Sequence, residues 1–198
     1  MKRELTGIIT APIVVGIVYS GSPKLFMFFV TTVILMGVNE YFTIIERIGV
    51  NGFRIPGMIL SLLLLLCFYF NESLILGWGL VASVTLFAVW FFQGDNVKDA
   101  IDQISFTLFG VLYIAGLGGY YLLIRSLEGG ERLILFLLLI VWLGDIAAYY
   151  WGKNFGNKPL APIVSPNKTV EGSIAGLVGN LVAAVISGFF FLDHIAMV

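Results

Sequence analysis

The sequence predicts an all-α fold, a polytopic transmembrane helix bundle of about seven spans, and three observations predict it. Hydrophobic residues make up 59% of the 198 and charged ones only 12%, roughly half the charged share of an average soluble domain. A soluble globule of this length could not hide so much apolar surface. The apolar residues also fall in runs of about 15 to 23, the length a helix needs to cross a bilayer. Between the runs stand clusters of turn and charged residues.

Taken in order, the spans are expected near 5–19, 25–45, 55–70, 74–92, 101–124, 133–151 and 172–192, in one membrane domain covering 1–198. The first follows Met1 to Glu4 and resembles a signal peptide, with a charged start and a short apolar run. Thr10 and Pro12 interrupt that run and no small-x-small cleavage site follows, so it reads better as a retained span. Gly21-Ser22-Pro23 opens the second, and Glu46 to Arg54 separates it from the third. Like the first, the third is short enough to dip rather than cross. Asn71-Glu72, Gly94 to Asp99 and Arg125 to Arg132 bound the fourth, fifth and sixth. Gly152 to Lys168 then forms a long loop, and the seventh span follows it.

The net charge of −1 and the scattered basic residues exclude a phosphate-binding tract for nucleic acid. Cys67, the single cysteine, sits within an apolar run and can form neither an internal disulfide nor a multi-cysteine metal site. Lysine and arginine set the orientation, because cytoplasmic loops retain an excess of them. With the N-terminus inside, eight (Lys2, Arg3, Arg47, Arg54, Lys98, Lys153, Lys158, Lys168) face the cytoplasm and three (Lys24, Arg125, Arg132) face out. The chain is thus expected in the cell (inner) membrane, with its N-terminus and the 152–170 loop cytoplasmic and Asp193 and His194 outside.

Ionisable groups within a span are costly and are default site candidates. Glu40, Asp102 and Asp145 qualify, and Glu171 opens the last span; under this topology all four gather toward the cytoplasmic side, which suggests a cation-bearing cavity open to the cytosol. For Glu40 and Asp102, reaching the interface from a helix end is an equally good reading. Asp145 is harder to dismiss. Asp145, Ala148, Tyr149 and Gly152 recur at i, i+3, i+4 and i+7 on one helix face, and Gly144, Ala148 and Gly152 form a small-residue row that permits a close neighbour. Further on, Ser165-Pro166-Asn167-Lys168-Thr169-Val170-Glu171-Gly172 leads into the last span. Hydroxyls, a lysine and helix N-terminal N–H groups make a phosphate cradle, and equally an ordinary capping arrangement.

These residues resemble the phosphatidate cytidylyltransferases, or CDP-diacylglycerol synthases. The likeness runs from Gly144-Asp145 through Ala148-Tyr149, Gly152, Phe155-Gly156, Leu160-Ala161-Pro162, Ser165-Pro166 and Lys168-Thr169 to Glu171-Gly172, with weaker matches at Lys2 to Gly7 and at Asn39-Glu40-Tyr41-Phe42. The family pattern continues into a Lys-Asp pair and a Pro-Gly-His-Gly-Gly segment with further aspartates, which this sequence lacks before Val198. The resemblance therefore implies a truncated, poorly active form. It implies transfer of a cytidylyl group from CTP to phosphatidate in phospholipid biosynthesis, with Mg2+ as cofactor and homodimerisation. Asp145, Lys168 and Glu171 would be catalytic, with Asp145 and Glu40 toward the metal. Ser165, Thr169, Tyr149, Asn167 and Lys158 would bind substrate.

Two other classes fit the same acids. An ion- or proton-coupled transporter would spread its carboxylates through the membrane depth and need an outward route. A non-catalytic membrane scaffold would need none of the chemistry.

Overall fold

A computed structural model describes residues 2–93, 97–163 and 165–191, except the side chains of 2–9 and 98. The side chains of Lys2, Arg3 and Lys98, and the residues Asp193 and His194, all used above to orient the chain, lie outside the described residues.

All seven apolar runs are helical. The helices are α1 (Lys2–Tyr19), α2 (Pro23–Arg47), α3 (Arg54–Phe70), α4 (Ile75–Gln93), α5 (Val97–Gly110), α6 (Leu117–Ser126), α7 (Gly130–Phe155) and α8 (Val170–Phe191). A π-helical turn, Val111–Gly116, joins α5 to α6, so the fifth run is one long rod. Among the described residues, five stretches are long and apolar enough to cross a membrane: Pro23–Arg47, Glu72–Gln93, Asp99–Ser126, Gly130–Phe155 and Val170–Phe191. Thr10–Tyr19, the part of α1 whose side chains are described, and Arg54–Phe70 are shorter apolar stretches. The chain is thus a helical integral membrane protein, and the expected count of seven spans is not confirmed. Length is the reason: the 17 residues of α3 cover about 25 Å, less than the hydrocarbon thickness. Outward-facing side chains are apolar, with Leu76 87% and Phe92 84% exposed; only lipid accommodates such a surface.

The chain divides into two compact units, Met1–Leu127 and Glu128–Val198. In the first, aromatic rings lie on glycines. Phe42, fully buried, covers Gly57, Tyr41 covers Gly110 and Phe68 covers Gly119, and at each glycine an added Cβ would collide with the ring. Polar groups inside this unit are satisfied locally. The Tyr41 hydroxyl donates to the Phe106 carbonyl (2.8 Å), the Trp78 indole N–H to the Leu60 carbonyl (3.0 Å), and Thr107 Oγ1 accepts from the Phe53 N–H (2.9 Å). At the α2–α3 connection, Arg54 pairs with Glu46 at 3.0 Å.

The second unit is an antiparallel pair, α7 and α8, closed at one end by a hairpin. Small residues let the two backbones meet, as the Gly144, Ala148, Gly152 row predicts. A Cβ on Gly172 would stand 2.8 Å from the Ala148 carbonyl oxygen and 3.0 Å from the Gly152 Cα, and one on Gly179 would stand 2.7 Å from the Ala147 Cβ. Because those neighbours are largely backbone, Gly172→Leu must push the helices apart. The expected cost is about 1–3 kcal/mol, read in detergent as a melting temperature lowered by several degrees; an unchanged melt would show that the pair tolerates separation.

The segment between these helices differs from the plain loop expected over 152–170. Nothing breaks α7 before Gly156, so the helix runs on to Phe155. Pro159–Ala161 (β1) then pairs antiparallel with Ser165–Thr169 (β2), Pro159 opposite Thr169 and Ala161 opposite Ser165. The all-α expectation therefore holds for the membrane body and is corrected here by a two-stranded ribbon.

Candidate functional site

Four of the predicted site residues, Ser165, Asn167, Lys168 and Thr169, fall in β2. Ser165 consequently does not stand at a helix N-terminus, because α8 begins only at Val170. Thr169 takes the capping position: its Oγ1 accepts the Gly172 N–H at 3.2 Å, satisfying one of the free donors of the first turn. Gly152 and Gly156 make room for it, since a Cβ at either would meet Thr169 Oγ1 at 3.0 and 2.6 Å. The purely structural reading of the motif thus accounts for Thr169. It leaves Lys168 and Asn167, both exposed, for a ligand.

Glu171 anchors the hairpin. One carboxylate oxygen accepts the backbone N–H groups of Asn157 and Lys158, each at 3.2 Å, and the Val170 N–H donates to the Lys158 carbonyl at 2.9 Å. The chain leaving α7 is thereby tied to the start of α8, and the exposed Lys158 and Lys168 are carried on the resulting ribbon. Glu171→Ala should free this tie, so that the amides of Asn157 and Lys158 exchange at least about tenfold faster in deuterium. Glu171→Gln, whose amide oxygen still accepts, should retain most of the protection. Equal exchange in all three proteins would show that the carboxylate holds nothing.

Asp145 lies within α7, away from the hairpin. Gly172 packs on Gly152, which sets the level of Glu171, and Asp145 precedes Gly152 by seven residues, about 10 Å along the axis. The two acids are therefore separated along the pair by about two turns, and α7 runs four residues beyond its predicted end at 151. Asp145 is exposed on the surface of this unit. Tyr149 lies one turn nearer the hairpin, and Lys153 one turn beyond it places its Nζ 5.8 Å from the Tyr149 ring centroid, within cation–π range. Asp145, Tyr149 and Lys153 thus form an i, i+4, i+8 row. Sequence reading counted Lys153 as a loop charge and missed the row, although its spacing was visible.

The opposite flank of the pair is apolar. A groove of about 760 Å³ is lined there by Leu143, Ala147 and Trp151 from α7 and by Val178, Gly179 and Val182 from α8, with Glu171 at one end. Asp145 and Tyr149 take no part in it. The helix pair therefore has a lipid-like side and a side carrying acid, phenol and lysine.

Glu40 and Asp102 belong to the first unit, on α2 and α5, and both are exposed. Among the described residues no three His, Cys, Asp or Glu side chains gather as a metal site. One residue that sequence reading passed over is Asn180 of α8. Its amide lies against Gly144, the neighbour of Asp145, and its Oδ1 is buried with no hydrogen-bond partner.

Fold and site together define a helical membrane protein in which a basic hairpin closes a pair of helices, one flank of which bears Asp145, Tyr149 and Lys153. Comparison with known proteins makes this specific: residues 1–198 match the cytidylyltransferase family model, and the chain belongs to the cytidylyltransferase family. It is by that membership a nucleotidyltransferase. A phosphatidate cytidylyltransferase of Staphylococcus epidermidis is 30% identical over 197 residues, 97% of this chain and 73% of the relative. One of Bacillus subtilis is 31% identical over 193 residues, 93% of this chain and 70% of the relative. One of Staphylococcus saprophyticus is 40% identical over 93 residues, 47% of this chain and 35% of the relative.

Proposed function

We propose that the protein transfers a cytidylyl group from CTP to phosphatidate, giving CDP-diacylglycerol and pyrophosphate. The observation that carries the reading is the exposed Lys158 and Lys168, held on a hairpin fixed by Glu171. The names of the relatives supply the substrates.

In the reaction a phosphatidate oxygen forms a bond to the α-phosphorus of CTP as the bond from that phosphorus to the β-bridging oxygen breaks, and pyrophosphate carries away the electron pair. Such transfer needs positioning and charge neutralisation more than covalent help. Lys168 and Lys158 bind phosphate oxygens, Asn167 and Ser165 add hydrogen bonds, and Tyr149 flanks the site. Thr169 and Glu171 hold the hairpin in place, a positioning role in each case.

Mg2+ fits the donors present: Asp145 offers a carboxylate, and Asn180 Oδ1 is a buried oxygen without a partner, both hard ligands of the kind magnesium takes. No three His, Cys, Asp or Glu side chains gather there among the described residues, so water and phosphate oxygens would supply its remaining ligands, as is usual for this ion. When bound it would neutralise phosphate charge. Glu40 is a further carboxylate for this role.

The hairpin and the N-terminus face the cytosol, where CTP is found, and the basic residues favour that side. A homodimer is part of the same reading. Transport is the competing function and would rest on the same acids, Glu40, Asp102 and Asp145.

The test incubates membranes carrying the full gene product with labelled CTP, phosphatidate and magnesium. Label should enter the lipid fraction, require phosphatidate, and disappear on chelation. No lipid-linked label, with the protein present and folded, would overturn the reading. A membrane-impermeant reagent should modify a cysteine introduced at Asn167 only in inside-out vesicles.

A further inference from the structure

We infer that Asn180 supplies an oxygen ligand, beside Asp145, to a divalent cation held on the polar flank of the α7–α8 pair. The inference rests on the reading above only for what the cation serves.

Asn180 is the amide in an otherwise mostly apolar helix, VEGSIAGLVGNLVAAVISGFFF, and a polar side chain inside a span is a functional candidate by default. Its position is built rather than incidental. The amide occupies the space that a side chain on Gly144 would take, with Oδ1 and Nδ2 both against that glycine. A helix backbone at mid-length offers no free N–H, since each is already donated to the carbonyl four residues back. The Asn180 carbonyl oxygen therefore faces a surface without donors, and it is buried with no partner.

Register places Asp145 on the same flank. The residues of α7 on the other side of the seam, Leu143 and Ala147, line the apolar groove together with Val178, Gly179 and Val182 of α8. Asp145 follows Gly144 by one residue, a rotation of about 100° away from that groove, and Asn180 lies outside its lining as well. Two oxygen-bearing groups, the Asp145 carboxyl and the Asn180 amide carbonyl, thus flank Gly144. The nearest cation on this row, Lys153, is two turns higher and lies over Tyr149. A hard divalent ion is the species that takes both oxygens at once.

The test uses the purified full gene product in nanodiscs with Mn2+ as the probe, titrated by electron paramagnetic resonance without nucleotide or phosphatidate. Mn2+ should bind the native protein, and Asn180→Leu should weaken it about tenfold or more. Asn180→Asp, which keeps an oxygen there, should bind as well as the native protein or better. Asn180→Ser removes the carbonyl and keeps a small polar side chain, and should weaken binding as well, so the test stands even where the leucine variant fails to fold. Native affinity in both Leu and Ser variants, or no Mn2+ binding by the native protein, would overturn the inference. Because no substrate is present, failure of cytidylyl transfer would leave this result intact, so the two readings fall separately.

Discussion

Asp145→Asn is expected to lower cytidylyl transfer by about 100-fold or more, the scale of losing one electrostatic contact at a reacting phosphate. The substitution keeps the shape of the side chain and removes its charge. Structure is not what it should damage, because Asp145 is exposed on its unit and surface changes of this kind alter stability little. The loss should therefore appear in kcat at saturating CTP and phosphatidate, with the melting temperature unmoved, and excess Mg2+ should restore part of it. A variant within about threefold of the native rate would remove Asp145 from the chemistry.

Lys168→Ala is the second large effect, expected at about 100-fold in kcat/KM and felt first in the KM for CTP. Lys168 lies exposed in β2, where the ribbon is already held by backbone pairing and by Glu171. Removing its ammonium takes away a phosphate contact and leaves the hairpin standing. Deuterium exchange over 156–170 should accordingly match the native protein. This distinguishes it from Glu171→Ala, which should loosen the segment. Lys168→Arg should recover binding only in part, since a planar guanidinium does not present charge as a compact ammonium does. Unchanged kinetics in the alanine variant would separate the hairpin from nucleotide binding.

Much of the site was visible as residue types and spacing, and its geometry was not. The Ser165-to-Gly172 motif admits both a phosphate cradle and a helix cap. In the structure it is divided, with Thr169 capping and Glu171 tying the backbone, while Lys168 stays exposed. A strand was not expected there, since Pro159, Pro162 and Pro166 each remove a backbone donor and short ribbons carry no hydrophobic alternation. Asn180 escaped attention because an isolated amide in an apolar run has no periodic signature. Only the packing of α8 on Gly144 gives it a meaning.

By itself the sequence determined that this chain lives in a bilayer and is helical there, because runs of apolar residues leave the backbone no other way to satisfy its polar groups away from water. It determined the family as well, through a motif of fixed order. The tertiary structure decided what packing and register control: that among the described residues five stretches are long and apolar enough to cross, that Asp145 lies about 10 Å along the pair from the level of Glu171, and that one flank of the α7–α8 pair is an apolar groove in which Asp145 and Tyr149 take no part. Such facts depend on how one helix rotates and slides against another, and small residues at a seam fix that through contacts between positions far apart in the chain.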